Sequence, residues 1–197
     1  MKKLLLLMIA CYWSCAECAA QSGLYKGVGT VVFEAGAPLS LIKGTSEAAT
    51  GTVNLETGKL HFDVPISSFE FLNSLMHERF NNKYMNSHRH RKATFTGEIS
   101  ERKPTRKSNE LYVTATGILS IHGVARKRTI KGLLIRNGNT WQLLSDFAVN
   151  LEDHHIEAPK LSSGYGAYTM QVSLRMLLNP VKGTPQQTSA FRRISLK

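Results

Sequence analysis

Cysteine is nearly absent from this chain, and where it occurs it cannot serve a fold. The three cysteines, Cys11, Cys15 and Cys18, all lie within the first 18 of 197 residues. Downstream of them, a disulfide framework, a thiolate nucleophile and a zinc–thiolate site are all excluded. Long apolar runs are lacking too, since the stretch Leu4 to Trp13 is only about half the roughly twenty residues that a membrane-spanning helix needs. Acidic residues are scarce, 14 against 25 Lys and Arg, and the formal net charge of +11 favours anionic partners. Helical periodicity is confined to one short segment, which argues against α/β and all-α architectures.

Lys2 and Lys3 ahead of the apolar run, with small residues at Ala16, Ala19 and Ala20 behind it, read as a cleavable signal peptide over residues 1–20, cut before Gln21. The competing pattern is lipidation at Cys11 after Met8-Ile9-Ala10. It would leave only Leu4 to Ile9 as the apolar stretch and has Met8 where Leu is usual. The expected location is periplasmic or secreted, and the charge without Lys2, Lys3 and Glu17 is +10. A domain over residues 21–182 would follow, then a basic tail, 183–197, rich in Gly, Thr, Pro, Gln and Ser and expected to be disordered. Basic clusters stand at Arg89-His90-Arg91-Lys92, Arg102-Lys103 with Arg106-Lys107, and Arg126-Lys127-Arg128. Export argues against nucleic acid as their partner. They read as solvated hairpin ends and loops, with attraction to the anionic headgroups of a membrane surface or to a phosphorylated ligand as the alternative.

What fills the chain beyond Gln21 is strict alternation of apolar and polar residues in short runs, the mark of strands with one buried face. Leu111, Val113, Ala115, Gly117, Leu119 and Ile121 face one way, against Tyr112, Thr114, Thr116 and Ser120. Similar runs occupy Leu60 to Ile66, Thr94 to Ile99, Trp141 to Asn150 and Thr169 to Met176. Further strands are expected at Tyr25 to Phe33, Leu39 to Thr45, Gly51 to Leu55 and Thr129 to Arg136, about eight or nine in all. Ala35-Gly36-Ala37-Pro38, Glu56-Thr57-Gly58 and Asn137-Gly138-Asn139 supply turn chemistry between them. Phe69, Leu72, Leu75, Met76 and Phe80 repeat at helical spacing behind Ser67-Ser68-Phe69-Glu70, which predicts a capped helix over 68–82 covering one end or edge of the sheet. The class is therefore all-β with one short helix. Alternation leaves open whether the sheet is a sandwich or a barrel, and whether small inward residues such as Gly97, Ala115 and Gly117 interdigitate with large ones or leave a slot.

Catalytic patterns are missing. Ser162-Ser163-Gly164-Tyr165-Gly166 reads as a flexible turn and not a strained nucleophile elbow. Nothing in the spacing joins Glu78 to Asp153 as an acid–base pair, and no phosphate-cradling glycine loop is present. His88 and His90 would share a strand face and His154-His155 follow Glu152-Asp153, yet adjacent strand histidines point to opposite faces, so no metal site is expected. His122, beside Gly123, reads as pinning a turn.

Phe71-Leu72-Asn73-Ser74-Leu75-Met76-His77-Glu78-Arg79-Phe80, then Lys83-Tyr84-Met85-Asn86-Ser87 and Lys92-Ala93-Thr94-Phe95-Thr96-Gly97-Glu98-Ile99, resembles the YceI-like family. Gly117-Ile118-Leu119-Ser120-Ile121-His122-Gly123-Val124 is similar to that family's strand-and-turn motif. A weaker likeness runs from Phe147 to Asp153 and on to Ile156-Glu157-Ala158-Pro159. The resemblance covers roughly Tyr25 to Leu178. It implies an extended, lipocalin-like antiparallel β-barrel of about eight strands, exported to the periplasm, that binds polyisoprenoid or other long amphiphiles and shares no catalytic set. Arg91 stands where the family commonly has Pro, and the first strand lacks an Asp and a His-Ser pair seen in many members, which leaves the ligand open.

Within that barrel, alternation assigns Phe62, Val64, Phe95, Val113, Ala115, Trp141, Phe147, Met170 and Val172 to the interior lining, with Leu72 and Met76 near a mouth. Arg89 or Arg126 would meet an anionic head. No cofactor is expected beyond a bound isoprenoid or fatty lipid, and the chain would be a monomer or homodimer. The alternative from another class is an exported stress-response or interaction module with a packed barrel and no stable ligand. An enzyme on the same barrel would instead show a cluster of buried ionisable groups.

Overall fold

The computed structural model describes residues 23–35, 42–107, 109–157 and 169–181. The expected signal peptide, the tail, the Ser162 to Gly166 turn and most of the Ala35 to Pro38 turn lie outside them. Eight antiparallel strands follow one another around a closed barrel. They are β1 (Leu24–Ala35), β2 (Lys43–Asn54), β3 (Lys59–Pro65), β4 (Lys92–Pro104), β5 (Glu110–Ile121), β6 (Val124–Asn137), β7 (Thr140–Asn150) and β8 (Thr169–Pro180). β8 closes on β1 over the register Tyr25↔Pro180 to Ala35↔Met170.

The two short runs expected at 39–45 and 51–55 are one strand where described, β2. Glu47-Ala48-Ala49 is a poor strand former, and Glu47 and Ala48 have no register partner in β1: they bulge opposite Thr30, between the pairs Val31↔Ser46 and Gly29↔Ala49. A register shift between Gly29 and Val31 opposite it resets the alternation, which hides the continuity from a period-two reading. The Glu56-Thr57-Gly58 turn forms as expected: the Asn54 side chain accepts from the amides of Glu56 and Thr57, each at 2.9 Å, and Gly58 takes φ +79. His122 and Gly123 make the two-residue β5–β6 loop with φ +52 and +76, the both-positive geometry that matches strand twist. His122 Nδ1 lies 3.4 Å from the His154 carbonyl, in keeping with a turn-pinning role.

The helix is shorter and later than its spacing suggests. Ile66–Ser68 is one 3-10 turn, α1 spans only Ser74–Arg79, and a π turn follows over Phe80–Tyr84. The capping box does not form, because Glu70 lies in extended chain with its backbone bonded to β2 and not in the first turn of a helix. Ser68 Oγ donates to the Pro65 carbonyl at 2.7 Å, and Glu70 makes a two-bond bridge to Thr45 in β2 at 2.8 and 3.0 Å. Asn73 caps α1 instead, accepting from the Leu75 amide at 2.8 Å. His88 and His90 likewise sit in turns and not on a strand.

Two ladders are incomplete. β2 and β3 pair only over Thr50–Val53, and the returning Glu70 takes up β2 above that point. β6 and β7 pair only where Leu133–Asn137 meets Thr140–Leu144, so both strands run on toward the helical end with facing edges unladdered.

Candidate ligand cavity

Inward-facing side chains of all eight strands enclose a cavity of about 510 Å³ that opens beneath the helical excursion. Its wall is almost wholly aliphatic and aromatic. That volume falls in the range typical of small-molecule sites, and apolar voids of this kind stay dry or take apolar guests. Of the eleven residues assigned from alternation, Phe62, Val64, Met76, Phe95, Val113, Ala115, Phe147, Met170 and Val172 line it.

Leu72 and Trp141 do not. Leu72 projects fully into solvent, because the chain between the 3-10 turn and α1 is extended and turns that side chain away from the barrel. Trp141 keeps the inward parity of β7 but sits at its far end. There it packs with Tyr25, Leu55 and Leu111 on the buried cluster containing Leu134 and Leu178, and Arg136 lies 6.0 Å from its ring centre. Gly97 and Gly117 also fail as space-makers in the interior. They face each other across β4 and β5, and a Cβ on Gly117 would fall 2.3 Å from the Thr96 carbonyl oxygen and 2.7 Å from Gly97 Cα. Their missing side chains let two backbones approach, and neither lines the cavity.

The mouth carries an aromatic cluster that periodicity did not assign to the site. Phe33 of β1 meets Phe69 at 5.1 Å and Phe80 at 5.3 Å between ring centres, and Phe71 meets Phe80 at 4.9 Å. Phe69 and Phe80 belong to the stripe that helical spacing predicts; Phe71 breaks that spacing, and only the extended conformation of its segment turns it inward. Leu60, Leu119, Leu143, Val149 and Met176 are among the other wall residues. All five lie in alternating runs, so the same signal that found their neighbours marks them. The charged groups touching the cavity, Asp63 of β3, Arg79 of α1, Lys131 of β6 and Glu157 in the chain beyond β7, come from separate parts of the fold. Asp63 is engaged by Lys92 Nζ at 3.3 Å and by the Thr50 hydroxyl at 3.2 Å. Among the described residues no group of His, Cys, Asp and Glu has the arrangement of a metal site.

His154, between the cavity-lining Leu151 and Ile156, is fully buried. Its Nδ1 donates to the Val124 carbonyl at 3.0 Å, and Nε2 has no partner among the described residues. Burial lowers its pKa, opposed by the Val124 bond and Asp153 and reinforced by Arg128 and Arg126. The folded protein thus resists a proton that the unfolded chain accepts, so the fold is at full strength above the unfolded value of about 6.5 and loses stability as pH falls through that window. For a single proton the loss is bounded at about 1.4 kcal/mol per pH unit. Urea midpoints at pH 7.5 and 5.5 should show a drop that shrinks in His154→Gln; equal drops in both proteins would remove His154 from the account.

Residues 27–178 match the YceI-like domain. The chain belongs to the YceI-like family. No curated protein matches it significantly in sequence. Among solved structures, it is similar to BcnA of Burkholderia cenocepacia, with a TM-score of 0.63 at 15% identity, covering 76% of this chain and 95% of that one. A polyisoprenoid-binding domain from Saccharophagus degradans, implicated in plant cell wall breakdown, aligns at TM-score 0.59 and 11% identity, covering 81% and 95%. The Campylobacter jejuni YceI protein aligns at 0.55 and 11%, covering 72% and 86%. At these identities the likeness establishes the eight-stranded barrel of this YceI-like chain.

Proposed function

We propose that this YceI-like protein is an exported, non-enzymatic carrier that holds one long apolar tail, isoprenoid or fatty, in its barrel. The observation that carries the reading is the apolar cavity inside the barrel, where a packed interaction module would have interdigitated side chains. The polyisoprenoid-binding domain among its structural neighbours supports the ligand class, and the lysine-led apolar stretch at the start of the chain supports export to the periplasm.

Burial of each methylene removes apolar area worth about 0.8 kcal/mol, or roughly fourfold in affinity. A series of primary alcohols titrated against delipidated protein should therefore tighten about fourfold per methylene until the cavity is full, then level off. Affinity indifferent to tail length from the outset would contradict a tail-binding interior.

A further inference from the structure

The incomplete β6–β7 ladder has an unusual lining. Register with β5 places Gly132 opposite Val113, Ile130 opposite Ala115, Arg128 opposite Gly117 and Arg126 opposite Leu119. Val113, Ala115 and Leu119 line the cavity, as do Ile130 and Gly132, so the two arginines continue the inward row of the barrel wall. A guanidinium aimed at an apolar axis would lose its hydration without compensation. Both turn into the seam instead. Arg128 Nη2 donates to the Ala148 carbonyl of β7 at 2.6 Å, and Arg126 Nε donates to the Asp153 carbonyl at 2.7 Å. The floor of the seam is closed by Ser145 Oγ, which donates to the Lys131 carbonyl at 2.7 Å.

These bonds replace a backbone ladder with side-chain contacts and leave the cations under-compensated. The Asp153 carboxylate, 3.7 Å from Arg128 Nη1, is the only acidic partner of either arginine among the described residues. Each guanidinium offers five donors in a fork that suits the paired oxygens of a carboxylate or phosphate better than a lone carbonyl. Ala148, whose carbonyl Arg128 holds, lies between the cavity-lining Phe147 and Val149. We propose that the bound amphiphile is anionic, with its tail in the cavity and its head at the β6–β7 seam, held by Arg126 and Arg128. This rests on the tail-binding function above and assigns its head-group selectivity. Arg126-Lys127-Arg128 is then not a solvated hairpin end, as its composition suggests, but a recognition element three residues into a strand.

The test compares probes that share a tail: farnesyl monophosphate with farnesol, and palmitate with hexadecanol. Charge-assisted bonds should make the delipidated full chain bind at least one anionic member roughly tenfold or more tightly than its alcohol, and which pair shows it separates phosphate from carboxylate heads. Arg126→Gln/Arg128→Gln should reduce the preference to less than about twofold while leaving alcohol affinity unchanged, which also reports an intact cavity. Arg128→Lys, keeping charge but not the fork, should lose part of it, and Lys103→Gln, an exposed cation near the other end of β4, none. Equal affinity for anion and alcohol in the wild type, a preference that survives the double substitution, or one lost in Lys103→Gln would overturn the seam assignment while sparing the carrier reading. Failure of both alcohols to bind would overturn the two together.

Discussion

Ala115→Trp is expected to weaken tail binding about a hundredfold while leaving the barrel folded. Ala115 lies mid-strand on β5, paired with Ile99 on one side and Ile130 on the other, and its methyl faces the cavity. An indole placed there enters space that a ligand would use. Excluding about four methylenes of tail costs about 3 kcal/mol at 0.8 kcal/mol each, a factor of roughly one to two hundred. In a packed core so large a residue would cost about 1–3 kcal/mol in forced rotamers and backbone shifts. Here the void accepts it, so the urea midpoint should move little. Tyr112→Trp, three residues away on the exposed face of the same strand, serves as the control and should bind like the wild type. Displacement titration with a fluorescent fatty probe reads both variants; undiminished binding by Ala115→Trp would mean that the tail sits elsewhere.

Gly117→Val is expected to destabilise the barrel strongly, by about 3 kcal/mol or more. The new Cβ would meet the Thr96 carbonyl oxygen at 2.3 Å, Gly97 Cα at 2.7 Å and the Thr96 carbonyl carbon at 2.9 Å. All three are backbone atoms of a paired strand, so relief requires prising β4 from β5, where the ladder continues on both sides. For a domain of this size the melting temperature should fall by roughly 6–12 °C. Gly138→Ala is the useful contrast: Gly138 has φ +59 but nothing within 4 Å of an added Cβ, so its cost is confined to backbone strain of about 1 kcal/mol. Equal melting temperatures for the two variants would show that β4 and β5 are not in close contact at this point.

Much of the barrel is legible in alternation because each strand has one apolar and one wet face, and a period of two survives wherever the strand is straight. It fails where the strand is not. The Gly29–Val31 register shift broke β1 against β2, and the Glu47-Ala48-Ala49 stretch then concealed one strand as two runs. The helical excursion misleads for a different reason. Phe69, Leu72, Leu75, Met76 and Phe80 satisfy helical spacing, but Glu70 is captured by β2, which pulls Phe69 to Phe71 into extended chain and leaves Leu72 outside. Capture by a distant strand edge is a tertiary event with no local signature. The cavity lining was readable for the same reason as the strands, with Trp141 misplaced because parity fixes the face of a strand but not the depth along the axis. Charge alone marks Arg126 or Arg89 as a partner for an anionic head; the seam itself and the part of Arg128 in it have no sequence signal, since the pair looks like any surface cluster until the ladder beside it is seen to stop.

Native mass spectrometry of gently purified protein reads directly whether an apolar tail occupies the barrel interior. A single hydrophobic adduct is expected at one molecule per chain, displaced by added farnesyl or fatty probes and absent from Ala115→Trp. Protein that is consistently free of adduct and takes up none of the added probes would contradict that occupancy.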